Sequence, residues 1–222
     1  MGDLKPWQRA GLHRVRDAVM YWGTRTPFSG KLVPAYRGGS GSRDKGSGML
    51  RALVEEAFED VRKKVQPGAP SRVGSVMVCP FGGVGFCAGG TGHSHVYQVR
   101  VTGKVFVTNS EMFGEANIRA SEMAALRRFE PPAAVQVELR RDEIHAEVSS
   151  WAKSYWQGGN SYPGLMEALV SGKAEVVRKM TDAELDALKR GDAEDALNAM
   201  FEEHLRGLVG MPLVRRRGGI QR

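Results

Sequence analysis

Apolar residues recur every three or four positions in several stretches of the chain, a spacing typical of amphipathic helices. The clearest stretch is residues 49–65, MLRALVEEAFEDVRKKV, whose apolar residues share one helical face. Residues 7–22 and 142–156 have the same spacing, and residues 111–130 have it in part. We therefore predict helices in these stretches, the first of them ending near Gly23.

Other stretches have the character of strands. KLVPAYRG, residues 31–38, predicts a strand in which Pro34 favours an edge or a strand start. Residues 71–81, SRVGSVMVCPF, predict a second strand. Residues 95–109 and 165–180 are apolar segments interrupted by Thr102-Gly103 and Ser171-Gly172, so each predicts a β-hairpin.

The remaining stretches predict loops and the end of the chain. Residues 38–48 and 82–92 are rich in glycine and predict loops. Thr181 and Glu184 have the spacing of a capping box, which predicts that a helix begins there. Residues 197–208 have the apolar spacing of a last helix. Strands and helices that alternate without a regular βαβ order favour an α+β fold.

Composition and charge limit the possible classes of protein. The 222 residues are 41% hydrophobic and 26% charged, as in ordinary globular proteins. No apolar run approaches the length of a membrane span, and the first residues lack the pattern of a secretory signal, so we expect a cytoplasmic protein without a membrane partner. Two cysteines are too few for a disulfide scaffold, which fits a reducing compartment.

A formal net charge of +7 favours contact with polyanions, and part of that charge lies in the tail RRRGGIQR. The motifs typical of nucleic-acid-binding domains are absent from the sequence. A solvated basic surface therefore explains the charge more simply than a dedicated nucleic-acid-binding domain.

Two glycine- and cysteine-containing patterns are weak evidence for a cofactor or a metal. Residues 83–88 fit a loose dinucleotide fingerprint, but the glycines that follow disfavour the helix that this motif requires. Four potential zinc ligands lie close together, but their spacing matches no familiar zinc finger, so we assign no metal; they are Cys79, Cys87, His93 and His95.

Three polar residues remain as candidates for chemistry. Arg37 ends the first predicted strand, Ser75 lies in the second, and Glu167 lies inside the apolar stretch GLMEALV. Singly, each is compatible with an ordinary structural or surface role. An unpaired carboxylate inside a half-buried strand is costly, however, so Glu167 requires a partner, a solvent-facing position or a cleft.

The order of these residues gives the chain a recognisable pattern. Residues 31–180 contain, in this order, AYRG, a predicted helix, PSRVGSVMV, HVYQVRVTGKVFV and AKSYWQGGNSYPGLMEALVSGKAEVV. This succession resembles the arginine-serine-glutamate class of ADP-ribosyltransferases, found among bacterial toxins and phage-encoded transferases. The resemblance implies a split β-sandwich of two small packed sheets with flanking helices and NAD in the cleft. Residues 1–30 would form an N-terminal helical arm, and residues 181–222 would form C-terminal helices and a basic tail.

The resemblance also implies roles for individual residues. Arg37, with Gly38 beside it, would meet the phosphates or ribose of NAD, and Ser75 would brace the glutamate. Glu167 would bind the nicotinamide ribose and stabilise positive charge as the glycosidic bond opens. Tyr162, in the loop GGNSYPG, would touch the acceptor substrate. Tyr155 would either stack near the nicotinamide or pack in the core.

The chain departs from the family pattern at two places. Members that modify arginine carry Glu or Gln two residues before the catalytic glutamate, whereas this chain has Leu165. The family serine is normally followed by threonine and a second serine, whereas Val76 and Met77 follow Ser75. Arginine is therefore a doubtful acceptor, and the support of Glu167 differs from the family pattern.

Two functions follow from these patterns. The first is an NAD-dependent ADP-ribosyltransferase, a phage or toxin effector that acts on a protein or nucleic-acid acceptor and releases nicotinamide. The alternative is a non-catalytic structural or interaction protein, a virion or assembly component. Its basic tail, with Arg215, Arg216 and Arg217, would bind an acidic partner or nucleic acid.

Overall fold

The structure is a computed structural model that describes residues 8–37, 45–80, 95–125, 133–158, 166–188 and 190. A four-stranded antiparallel sheet has the strand order β1-β3-β4-β2. Its strands are β1 (Gly11–Thr24), β2 (Val76–Val78), β3 (His95–Asn109) and β4 (Met166–Lys179). The helices are α1 (Lys45–Val65), α2 (Glu111–Ala125), α3 (Ala133–Leu139) and α4 (Arg141–Trp156), and residues 182–188 are also helical. The α+β prediction is confirmed.

The predicted helices over residues 49–65, 111–130 and 142–156 are confirmed by α1, α2 and α4. Leu50, Leu53, Val54, Ala57 and Phe58 of α1 are buried, as the apolar spacing requires. The capping box is also confirmed, because the backbone N–H of Thr181 donates to Glu184 Oε2 at 2.9 Å and that of Glu184 donates to Thr181 Oγ1 at 3.3 Å. The helix predicted over residues 197–208 lies outside the described residues.

The N-terminal helix predicted over residues 7–22 is wrong, because residues 11–24 form β1 and pair with β3. A bulge between Val15 and Ala18 is the physical reason for the error. Asp17 has a positive φ of 57° there, and the inward-facing positions change from odd to even numbers. Because of this phase change the inward residues Val15 and Ala18 are three positions apart, which imitates the spacing of a helix.

The two predicted hairpins are also wrong, because β3 and β4 each run on through the glycine at which we expect a turn. Gly103 lies directly opposite Gly172 in the β3–β4 ladder. Their φ angles are +143° and +153°, and a Cβ on either residue would overlap the backbone of the other strand. Glycine therefore permits a close backbone approach here instead of a chain reversal.

The sheet separates two apolar clusters. One cluster joins Phe106 and Leu169 to the buried faces of the four helices. The other occupies the opposite face of the sheet and takes residues from both sides of the two glycines, among them Val99, Val101, Val105, Val107, Ala168, Val170 and Ala174. Residues before and after the glycines therefore pack in one cluster on the face opposite the helices. Within the described residues, the strands form one sheet and not the two packed sheets that the resemblance implies.

The predicted strand over residues 31–38 is an extended segment with an isolated bridge, Leu32 to Glu175. Val33 N–H donates to Ala174 O at 2.9 Å, and Val176 N–H donates to Lys31 O at 2.9 Å, so the segment lies along β4. Farther on, Tyr36 N–H donates to Ser75 O at 2.8 Å. Pro34, which lacks an N–H group, is tolerated at this edge. No helix among the described residues is long and apolar enough to cross a membrane.

Candidate functional site

Glu167 is buried at the start of β4, with 1% of its surface exposed. It lies opposite Thr108 of β3 and shares a face with Leu169, which packs against the helices. The strand alternation therefore directs this carboxylate toward the helix layer. A carboxylate in such a place requires a compensating charge and hydrogen bonds.

Arg72 supplies both. It lies in the turn before β2, and its Nη1 donates hydrogen bonds to Glu167 Oε1 and, at 2.5 Å, to the Tyr155 hydroxyl. Tyr155 in turn donates to Glu167 Oε1 at 2.5 Å. The guanidinium also lies over the Phe113 ring, 3.6 Å from its centroid. Arginine, carboxylate and tyrosine thus form a triangle that is anchored from three elements.

The second carboxylate beside Arg72 is Glu55 of α1, which accepts a hydrogen bond from Arg72 Nε at 3.2 Å. Both Glu55 and Arg72 are buried, with 7% and 4% of their surfaces exposed. Two carboxylates therefore face one guanidinium. Removal of Arg72 would leave both buried carboxylates without their cation.

This arrangement shifts two pKa values. Burial alone would lower the pKa of Arg72, but the negative charges of Glu167 and Glu55, with the Tyr155 hydroxyl, raise it above its ordinary value. The pKa of Tyr155 is also raised, first by burial and then by Glu167, against the opposing effect of Arg72. Arg72 therefore remains a cation and Tyr155 remains a neutral hydrogen-bond donor throughout the physiological range.

The network extends from Glu55 to the segment before Arg37. Tyr36 donates its hydroxyl proton to Glu55 Oε1 at 2.9 Å and accepts from Arg51 Nε at 3.1 Å. Burial and the neighbouring Glu55 raise the pKa of Tyr36. We call Arg51, Tyr36, Glu55, Arg72, Tyr155 and Glu167 the polar network. It is a continuous hydrogen-bonded path from the exposed Arg51 to the buried Glu167.

The backbone segments that contain Arg37 and Ser75, two of the three predicted residues, lie side by side. Tyr36, which precedes Arg37, pairs with Ser75 and Gly74 through two backbone hydrogen bonds of 2.8 Å. Arg37 is exposed, whereas Ser75 is buried and donates its hydroxyl proton to Ser71 O. Glu167 joins them indirectly, through Arg72, Glu55 and Tyr36. No hydrogen bond between described residues connects Ser75 Oγ to Glu167.

The other predicted site residues are less informative. Gly38 and Tyr162 lie outside the described residues. Tyr155 is fully buried, with its ring 5.2 Å from that of Phe58 and 4.8 Å from that of Trp156, so it packs in the core. Its hydroxyl belongs to the polar network, a role that the sequence did not suggest.

The described residues add no support for the dinucleotide fingerprint or for the possible zinc ligands. The glycine-rich fingerprint, Cys87 and His93 lie outside them. Cys79 is disulfide-bonded, which differs from the reduced cysteines that we expect in a reducing compartment and removes a thiolate from the possible zinc set. No group of three metal-binding side chains occurs in the part of the chain that the structure describes.

A surface pocket of about 180 Å³ lies between α1, α3 and α4. Its walls include Leu53, Val137, Glu56 and Arg141, and none of the predicted site residues lines it. The pocket is smaller than the ~300 Å³ at which small-molecule sites commonly begin. The polar network is therefore the better candidate for a functional site.

Sequence reasoning missed Arg72 and Glu55. Arg72 stood within the quoted segment PSRVGSVMV, but an arginine in a turn carries no periodic signal. Glu55 follows Val54 on α1 and sits at the margin of the apolar helical face, next to residues that are fully buried. A carboxylate at such a margin was the available signal that α1 contacts a buried cation.

Comparison with known proteins places the chain in a family without assigning it an activity. No curated protein matches it. Residues 39–182, well over half of the chain, match the family described as protein of unknown function, DUF2441. This span includes Glu55, Arg72, Ser75, Tyr155 and Glu167. The chain belongs to the DUF2441 family.

Proposed function

We propose that the protein is an NAD-dependent ADP-ribosyltransferase, which moves ADP-ribose from NAD to a protein or nucleic-acid acceptor and releases nicotinamide. The proposal extends to the fold, as a variant of the ADP-ribosyltransferase architecture in which one sheet carries the site. The observation that carries it is the hydrogen-bonded path from the AYRG segment to Glu167. The path runs from Tyr36, the neighbour of Arg37, through Glu55 and Arg72 to Glu167.

In this proposal Glu167 acts from a fixed position on β4. Its strand holds the backbone, and Arg72 and Tyr155 both bind Oε1. We assign the other oxygen, Oε2, to the nicotinamide ribose. A carboxylate held in place before the reaction stabilises positive charge without reorganisation in the transition state.

The reaction breaks the bond between ribose C1′ and the pyridine nitrogen of nicotinamide. The electron pair of that bond leaves with nicotinamide, which becomes neutral, and the ribose acquires oxocarbenium character. Glu167 stabilises this positive charge as a carboxylate does in glycosidases. An oxygen or nitrogen of the acceptor then bonds to C1′ and loses its proton to solvent or a nearby base.

Arg37 has the exposure that a phosphate ligand needs, since its side chain is open to solvent. Its backbone is anchored through Tyr36 to Gly74 and Ser75. A guanidinium on an anchored segment binds a diphosphate bidentately with less loss of entropy than one on a free loop. We therefore assign the NAD diphosphate to Arg37, with Ser75 supporting the segment.

Nicotinamide release from NAD tests the proposal. The wild-type protein is expected to release nicotinamide above background, and Glu167→Gln to reduce the rate by about 100-fold or more, a size typical for loss of one electrostatic catalytic group. Glu55→Gln is the matched control, because it removes the other carboxylate that binds Arg72. It should retain most of the activity if Glu167 acts on the ribose.

Circular dichroism of both variants separates chemistry from folding. Equal background-level release from the folded wild type and Glu167→Gln would overturn the proposal. Equal loss in Glu55→Gln and Glu167→Gln, with both proteins folded, would assign the network a structural role only.

A further inference from the structure

We propose that the part of the sheet's helix-side face that the helices leave uncovered binds the phosphate backbone of a nucleic acid. This surface, the basic face, consists of Arg14, Arg16, Arg100, Lys104 and Lys173. Phe106 lies on the same face of β3 but is covered by the helices. Lys104, two residues before Phe106, is half-buried, and Arg100, six residues before it, is exposed. The helix layer therefore ends between Lys104 and Arg100.

The register of the strands concentrates positive charge on this face. Arg14 of β1 lies directly opposite Lys104 of β3, and Lys173 of β4 lies opposite Thr102. Side chains that are directly opposite have Cβ atoms only about 5 Å apart, so two like charges there destabilise the sheet. A sheet without a ligand gains nothing from such a pair.

Four of the five cations of the basic face form no salt bridge among the described residues, and the fifth, Lys173, is paired with Glu175. Among the described residues, no salt bridge involves Arg14, Arg16, Arg100 or Lys104. Surface arginines on the helices are paired, for example Arg119 with Glu122 and Arg141 with Glu56. The carboxylate opposite Arg100 is Glu175, which binds Lys173 at 2.9 Å. Glu175 therefore lies near both Arg100 and Lys173.

The chemistry and spacing of the face favour phosphates. Three of its five cations are arginines, whose planar guanidinium groups bind phosphate bidentately. Neighbouring strands are about 4.8 Å apart, and alternate residues along a strand are about 6.6 Å apart. The spacing along a strand is about twice the ~3.4 Å that separates successive charges on each strand of a nucleic acid. Thr102 and Gln98 share the face and add neutral donors of the kind that bind phosphate and sugar.

Binding of the full-length protein to a fluorescent 20-nucleotide DNA, single-stranded and duplex, tests this inference by anisotropy in 50–200 mM KCl. The wild type is expected to lose affinity steeply with salt, because bound cations release counterions. The double variant Arg14→Gln/Lys104→Gln should lose two phosphate contacts. The slope of log affinity against log salt concentration should therefore become less steep by about 1.4 to 1.8. The affinity of this variant at 0.1 M salt should fall on the order of tenfold or more.

Two comparisons make the test specific. Lys64→Gln with Lys153→Gln removes two exposed, unpaired charges from α1 and α4, and should bind like the wild type. Arg215→Gln with Arg216→Gln and Arg217→Gln measures the contribution of the basic tail. An unfolding temperature equal to or slightly above that of the wild type would show that the Arg14/Lys104 variant is folded.

Three results would overturn the inference. The first is DNA binding that does not depend on salt concentration, and the second is a salt dependence of the Arg14/Lys104 variant equal to that of the wild type. The third is binding of polyglutamate as tight as the binding of DNA. The last would assign the face to an acidic protein. The assay contains no NAD, so its outcome is independent of the proposed transferase activity. A protein that binds DNA and never releases nicotinamide would retain this inference and lose the other.

Discussion

At the scale of single residues, Arg72 is the group on which the most other groups depend. It is the cation that contacts both Glu167 and Glu55, and it donates to Tyr155. Arg72→Met keeps much of the volume and removes the charge, which leaves two buried carboxylates without their cation. We expect a loss of about 3–5 kcal/mol in the free energy of unfolding, measured by urea denaturation, as for one broken buried ion pair.

Two further variants control this prediction. Arg119→Met removes an arginine from an exposed salt bridge and should leave the urea midpoint unchanged. Arg72→Met combined with Glu167→Gln should be more stable than Arg72→Met alone, because one of the abandoned charges is gone. A single Arg72→Met variant as stable as the Arg119 control would mean that the buried pair contributes nothing to stability.

The candidate site could be predicted from the sequence only in part. Glu167 was identifiable because a carboxylate interrupts an apolar strand. Its partner was not, since Arg72 lies 95 residues away and no local pattern relates the two. The sequence left open the face on which Glu167 lies, and only the packing of α1 and α4 on that face reveals Glu55 and Tyr155.

At the scale of the elements, the facing glycines of β3 and β4 allow the two strands to approach closely. Gly103→Ala and Gly172→Ala each place a Cβ against the carbonyl oxygen of the other strand, at a φ that side chains rarely adopt. We expect either variant to lower the thermal unfolding temperature by several degrees or more, because both overlap and backbone strain must be relieved.

A glycine in α2 provides the matched comparison. A Cβ at Gly114 meets nothing within 4 Å, and the residue is helical. Gly114→Ala should therefore raise the free energy of unfolding by about 0.5–1 kcal/mol, through helix propensity. If all three alanine variants were equally stable, the close approach of β3 and β4 would not exist in solution.

The same glycines explain why helices were easier to predict than strands. The face of a helix such as α1 is determined by residues three and four apart, so its pattern is complete within the segment. A strand depends on its neighbours for register, and Thr102-Gly103 has the same local appearance in a turn and in a close crossing. The bulge at Asp17 adds a phase change that only pairing with β3 makes visible.

At the scale of the whole molecule, the sheet joins the two apolar clusters into one structure. Phe106 and Leu169 belong to the helix-side cluster, while their neighbours Val105, Val107 and Ala168 belong to the other. Strands β3 and β4 therefore cannot unfold on one side while remaining packed on the other. Damage to either cluster should destabilise both.

Phe58→Ala tests this coupling from a distance. Phe58 is fully buried in the helix-side cluster, so the substitution should cost about 3–5 kcal/mol. Hydrogen exchange should then show the same loss of protection in the β1–β3 ladder, for example at Met20 and Val99, as in α1 and α4. Leu139→Ala, at a position that is 72% exposed, should change neither region. Loss of protection confined to the helices would mean that they form a separately unfolding layer, and that Glu167 loses its partners while β4 remains intact.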